Sequence, residues 1–273
     1  MENPAHTPPS GASVAHAVIV KFPGTNCDTE TARALEMTGF TAEVVPFGVF
    51  TAAHLDSAQL LVFAGGFSYG DYVMAGRLAR LEVEQKVGNA VSEFRDRGGY
   101  ILGICNGFQI LTQLGLLPTG SLIDNINGRF QCRWAMLKNH TPSNAFLKYL
   151  PQEFELPIAH AEGRFVVTEE IAADYLAKGL ATLTYSDDIN GSTLQIAGMQ
   201  DETGRVFGLM PHPERFMRRE HHYDQDWAPD SDGNPTWADE QTATDVDPTW
   251  GWGYYFFKGI HQEIEANSAC AAL

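Results

Sequence analysis

Short, unbroken apolar runs that stop at a glycine turn and lead into a helical stretch constrain this chain most. Residues 17–22 (AVIVKF) close on Pro23-Gly24, residues 60–64 (LLVFA) run into Gly65-Gly66, and residues 100–104 (YILGI) run into Cys105. A strand that is apolar at every position is buried on both faces, as in a parallel sheet covered by helices. Helical patterns follow the runs. One begins after Asn26 or Asp28, either of which could cap it, carries Ala32, Leu35 and Met37 as apolar positions, and stops at Gly39. A long one spans about 77–96 and ends at Gly98-Gly99; another runs from about 106 to Leu114 and ends at Gly115. Residues 43–47 (EVVPF) read as a further strand that Pro46 places at an edge or ends early. The alternation predicts an α/β fold, an open, mostly parallel sheet with helices on both faces. The middle, 130–200, is more strand-rich, with runs at 133–137, 155–159 and 194–199. Residues 205–210 return to a core strand, and a helix at about 253–267 closes the chain.

The 273 residues suit one sizeable α/β domain, 16–273, preceded by a flexible tail, 1–15, rich in Pro, Ala, Thr and Ser. Lys and Arg total 18 against 34 Asp and Glu, a formal charge of -16. Such a surface repels phosphate backbones, which argues against a nucleic-acid partner and leaves room for small anions at a local basic patch. No apolar run is long enough to cross a bilayer, and the start has no signal-peptide pattern. The four cysteines (Cys27, Cys105, Cys132 and Cys270) form no CxxC pair, so neither a disulfide framework nor a metal cage is expected, and a reducing cytoplasm fits. Residues 218–253 break the pattern: nine acidic residues, three prolines and four of the five tryptophans read as a long accessory loop pinned by its aromatics. Asp230 to Asn234 faintly resembles a calcium loop but lacks its spacing and closing Glu, and reads as a solvated turn.

Chemistry concentrates at Gly103-Ile104-Cys105-Asn106-Gly107, where a buried strand runs straight into a helix. That is the setting of a nucleophile elbow with Cys in place of Ser. The helix N-terminus brings positive partial charge to the sulfur and favours thiolate. A thiolate nucleophile needs an imidazole to carry the proton to the leaving amine. His212, in Met210-Pro-His-Pro-Glu214, follows a core strand; Pro213 biases it to an extended conformation, in which Glu214 at i+2 can orient the ring. His160 and Glu162 form a second i, i+2 pair, the runner-up choice as triad members, which nothing in local sequence ranks above His212 and Glu214. Donors for an oxyanion are the amide of Asn106 and the backbone of Gly65-Gly66-Phe67. Gln109, one helical turn beyond Cys105, could face the same pocket. Cys27 lacks the strand-to-helix frame and reads as structural; Cys132 and Cys270 carry no signal.

Five motifs occur in order: Pro23-Gly-Thr-Asn-Cys-Asp28, Gly65-Gly-Phe-Ser-Tyr-Gly-Asp-Tyr72, Gly103-Ile-Cys-Asn-Gly-Phe-Gln-Ile-Leu111, Pro157-Ile-Ala-His-Ala-Glu-Gly163 and Met210-Pro-His-Pro-Glu-Arg215. Over about 16–217 the chain resembles the glutaminase subunits of phosphoribosylformylglycinamidine synthase, which are class I (triad) glutamine amidotransferases. The resemblance implies a flavodoxin-like fold with Cys105 as nucleophile, His212 and Glu214 as its partners, Gly66 and Asn106 amides at the oxyanion, and Gln109 and Phe67 near the bound glutamine. It implies no cofactor on this chain. Ammonia would pass to a synthetase subunit carrying ATP and Mg, and a small third subunit would complete the assembly. Residues 218–253 and Met74-Ala-Gly-Arg77 depart from the family wording. Two other readings are a stand-alone cysteine hydrolase or peptidase on the same scaffold, which Gln109 and the His212–Glu214 pair disfavour, and a non-catalytic regulatory subunit, which would need no triad.

Overall fold

A computed structural model describes residues 15–68, 75–223, 247 and 249–271. The expected tail up to residue 14, residues 69–72 of the second motif with Val73 and Met74 after it, Trp227, Trp237 and the Asp230–Asn234 stretch lie outside the described residues.

The strands are β1 (His16–Lys21), β2 (Thr41–Pro46), β3 (Leu60–Phe63), β4 (Tyr100–Ile104), β5 (Ser121–Ile123), β6 (Gln131–Asn139), β7 (Glu153–His160), β8 (Arg164–Val166), β9 (Ala181–Tyr185), β10 (Ile196–Gln200) and β11 (Val206–Leu209). Among the described residues the main sheet has nine strands, in the order β2-β1-β3-β4-β11-β10-β9-β6-β7, and β5 pairs with β8 apart from it. The ladders from β2 to β11 are parallel. From β11 to β7 each ladder is antiparallel, so only β10 and β6 run against the other seven strands. β3, β4 and β11 are buried at every position, as their apolar runs require, whereas β7 alternates buried and half-buried residues. β2, with Pro46 at its end, is an edge strand.

The helices are α1 (Asp28–Met37), α2 (Ala75–Val87), α3 (Ala90–Asp96), α4 (Asn106–Gln113), α5 (Glu169–Ala177) and α6 (Trp252–Ala271). Neighbouring residues of β11 show how they flank the sheet. A Cβ on Gly208 would sit 2.4 Å from the Phe108 ring of α4, while Phe207 lies 5.7 Å, ring to ring, from Phe256 of α6. Successive strand residues face opposite ways, so α4 and α6 cover opposite faces.

Four sequence expectations shift. The stretch expected as one helix over 77–96 is two, α2 and α3, because Gly88 adopts φ +53 between them. The cap of α1 is Cys27, with no side-chain bond; Asp28 is already helical and its carboxylate takes Lys21 Nζ at 2.7 Å. The strand expected at 194–199 begins at Ile196, since Leu194 and Gln195 hold positive φ in a tight turn. The flanks of the acidic stretch belong to the body of the domain. Trp252 is fully buried in α6, Trp250 stacks on Tyr254 with centroids 4.3 Å apart, and His222 packs on Trp134 at 4.4 Å. The backbones of Met217 to Arg219 and Thr249 to Gly251 pair directly, Arg219 N to Thr249 O at 3.1 Å and Gly251 N to Met217 O at 3.1 Å.

Candidate active site

Cys105 stands between the end of β4 and the start of α4 with φ +52, one of three non-glycine residues with positive φ among those described. The chain must reverse within one residue there. Its amide is held by Leu209 O at 2.7 Å, so β11 fixes the turn from beside it. α4 packs so tightly against β3 that a Cβ on Gly107 would fall 1.9 Å from Phe63 O, which explains the glycine two residues after the cysteine. The sulfur is buried, 3.8 Å from the carbonyl of Ala159 at the end of β7, and the positive end of α4 opens beneath it.

His212 is delivered by the exit of β11. Its N–H bonds Pro157 O at 2.8 Å, and its Nδ1 donates to Glu214 Oε1 at 2.6 Å. The pairing expected of an extended chain is present, but by another route: His212 has φ -110 and ψ 86, and Glu214 lies in a short 3₁₀ turn, Pro213–Arg215, that folds the carboxylate back onto the ring. Both side chains are buried. Burial pulls the His212 proton affinity down; the Glu214 carboxylate and then the Cys105 and Cys27 thiols pull it up, and the net result is well above the ordinary imidazole range. His212 Nε2 has no hydrogen-bond partner of ordinary geometry among the described residues and faces the thiols that raise it.

Cys27, expected to be structural, belongs to the same cluster. A Cβ on Gly65 would touch His212 Cε1 at 2.9 Å and Cys27 Sγ at 3.3 Å. Arg215 Nη2 donates to Cys27 Sγ at 3.1 Å, and its Nε donates to Glu30 at 3.0 Å. Burial pushes the Cys27 thiol up, partly offset by His212 and Arg215. Cys27, His212 and Glu214 are also metal-ligand types within 4.8 Å of one another. The guanidinium beside the sulfur opposes a cation there, and Glu214 already occupies Nδ1.

Gly66 has φ +140, and a Cβ there would lie 2.6 Å from Asn26 N, so only glycine lets the two loops touch. Phe67 N is taken by Gly24 O at 3.1 Å; no hydrogen bond engages the N–H of Gly66 or Asn106 among the described residues. Gln109 is committed within the protein: it accepts from Asn106 Nδ2 and donates to Glu162 O, each at 2.8 Å, tying α4 to the turn after β7. Phe67 is partly exposed beside Phe130, with centroids 6.4 Å apart.

His160, the alternative to His212, is buried near it but points its Nδ1 at Asn125 Oδ1, 3.0 Å away. Burial first and the neighbouring His212 second push its pKa down to about 4. Sequence reading missed Asn125, Arg215 and Tyr185. Tyr185 is fully buried, its hydroxyl has no partner among the described residues, and burial together with Cys105 raises its pKa. Asn125 sits in a run that reads only as a turn, and Tyr185 in a strand without distinguishing pattern. Arg215 ends a motif already singled out, which was its only signal.

The site thus brings together a buried thiol on a strand-to-helix turn, an imidazole held by a carboxylate, and two amides without a hydrogen bond among the described residues, the parts that cysteine-dependent acyl transfer uses. Residues 14–240 match the CobB/CobQ-like glutamine amidotransferase domain, and the chain belongs to that family. Within it, the chain is 43% identical over 205 residues to phosphoribosylformylglycinamidine synthase subunit PurQ of Thermotoga maritima, covering 74% of this chain and 88% of that protein. It is 38% identical over 226 residues to the same subunit of Dehalococcoides mccartyi, covering 77% and 89%. These similarities place it with the PurQ subunits. In three dimensions it matches a chain of the PurLQS structure from Thermotoga maritima with a TM-score of 0.69 and 32% identity, over 92% of this chain and 100% of that one. A glutamine amidotransferase of Methylobacillus flagellatus shares the fold, with a TM-score of 0.53 and 14% identity over 92% of this chain and 94% of that one.

Proposed function

We infer that this chain is the glutaminase subunit of a phosphoribosylformylglycinamidine synthase of purine biosynthesis. The observation that carries the reading is Cys105 at φ +52 on the β4–α4 turn, with His212 hydrogen-bonded to Glu214 at 2.6 Å facing it. The Cys105 thiolate attacks the carboxamide carbon of glutamine, and the Gly66 and Asn106 amides take the developing oxyanion. His212 gives its proton to the departing nitrogen, ammonia leaves, and a γ-glutamyl thioester remains. Water, deprotonated by His212, then releases glutamate and restores the thiol. Glu214 orients the ring and supports its charge.

Ammonia goes to a synthetase partner, which binds ATP and Mg and aminates formylglycinamide ribonucleotide; a small third subunit joins them. The relatives' subunit name and the PurLQS complex support such a partner. Glutamate release by the purified chain, with and without that synthetase, ATP and the ribonucleotide, tests the reading. Absence of glutamate release under both conditions overturns it.

A further inference from the structure

Asn125 is held by its own hydrogen bonds. Its Nδ2 donates to Arg129 O at 2.8 Å and to His160 O at 2.9 Å, so its amide nitrogen is committed and its Oδ1 can only accept. His160 Nδ1, 3.0 Å from that oxygen, must therefore carry the ring proton. The other nitrogen, Nε2, is then a bare acceptor. It is buried and has no partner among the described residues. The Nδ1 edge of the ring packs against Gly163, where a Cβ would fall 2.2 Å away, so Nε2 points away from that turn. The preceding residue, Ala159, faces the Cys105 sulfur with its carbonyl, and Glu162 O holds Gln109. A buried acceptor that lacks a partner is costly unless something arrives to donate to it.

We propose that His160 Nε2 is a specificity group that accepts a hydrogen bond from the carboxamide NH₂ of glutamine and thereby sets the substrate apart from the product. A carboxylate offers no N–H, and two acceptors facing each other repel. Glutamate is therefore rejected at the position that welcomes glutamine, which clears the site after each turnover. The low proton affinity of the ring keeps it from becoming a donor at neutral pH. The inference rests on the glutamine-hydrolysis reading and adds a residue that is neither nucleophile nor base.

Two measurements test it. Histidine-selective ¹⁵N NMR on the full chain carrying Cys105→Ala follows both rings, with His160→Gln identifying the His160 signals. Nε2 of His160 should be unprotonated in the free protein and should shift on saturation with glutamine but not with glutamate. A shift of His212 alone, or equal shifts with both ligands, overturns the proposal and leaves the glutaminase reading intact. If no histidine responds to glutamine, the glutaminase reading fails and takes the proposal with it. In the complex with its synthetase, His160→Gln should raise KM for glutamine about tenfold, change kcat less than about threefold, and make glutamate a relatively stronger inhibitor. Loss of kcat with the glutamine-to-glutamate preference unchanged would assign His160 a structural role instead.

Discussion

Cys105, the proposed nucleophile, has a positive-φ backbone held by Leu209 O and by the close packing of α4. Removing only the sulfur leaves that frame intact. Cys105→Ala should reduce glutamine turnover on the order of a millionfold with an unchanged circular dichroism spectrum, and a glutamine-mimicking electrophile should label Cys105 and not Cys27. Glu214 offers a pH test. Its carboxylate helps hold the His212 proton affinity above the ordinary range against burial, so the imidazolium survives until pH rises through that raised value. In Glu214→Gln burial acts without that opposing charge, and the alkaline limb of kcat/KM should move to lower pH. A limb that stays or moves upward contradicts the assignment. Cys105 was legible in the sequence because an elbow needs a strand, a helix and small neighbours in consecutive positions. The choice between His212 and His160 was not, because both stand two residues before a glutamate. The contacts that differ, Glu214 on one ring and Asn125 on the other, come from a folded-back turn and from a distant loop. The place of Cys27 beside that imidazole was not legible for the same reason: its neighbours, His212 and Arg215, are about 185 residues away in sequence.

At the scale of elements, the parallel half of the sheet was readable because strands buried on both faces are apolar throughout, and β3, β4 and β11 are so. The antiparallel half was only partly readable. β9 and α5 were not anticipated, although α5 has an ordinary cap in Thr168, whose hydroxyl accepts from Ile171 N at 3.3 Å. Its apolar stripe is weak and only Ala172 is buried, so local pattern gave little to detect. The break between α2 and α3 rests on a glycine that a helix could equally have tolerated. A tight approach of two elements yields a stability prediction. Gly107→Ala drives a methyl into Phe63 O, 1.9 Å from its ideal position, and backbone must move. Destabilisation of about 3 kcal/mol is expected in denaturant titration, with loss of glutaminase activity as Cys105 shifts. A change under about 0.5 kcal/mol would show that α4 is not clamped to β3.

For the whole molecule, the relatives are named as subunits of a synthase and one solved neighbour is the PurLQS structure, so the proposed activity is expected to depend on an assembly. Docking on the synthetase is expected to raise glutamate production about a hundredfold. Such a gain needs roughly 2.7 kcal/mol of differential binding, at 1.36 kcal/mol per tenfold. Equal rates for the isolated chain and the complex would remove the coupling and favour a stand-alone hydrolase. The acidic stretch yields another test, with bounds set by the structure: Trp250, Trp252 and His222 serve the core, so only residues between 224 and 246 can be removed. Replacing them with a short Gly/Ser bridge should leave cooperative unfolding and basal glutamate release in place. Unfolding of that variant would place the deleted segment in the core.

The pairing of Met217 to Arg219 with Thr249 to Gly251 has a further consequence. It brings the two ends of the intervening stretch side by side before that stretch contributes anything. Whatever is inserted there inherits neighbouring ends, and each doubling of its length costs only about 0.6 kcal/mol of closure entropy. The domain can thus gain or lose a module at this seam in a single genetic event, with the residues of catalysis left undisturbed. The stitch is a natural graft point, for evolution and for anyone fusing a reporter to this enzyme without touching either terminus.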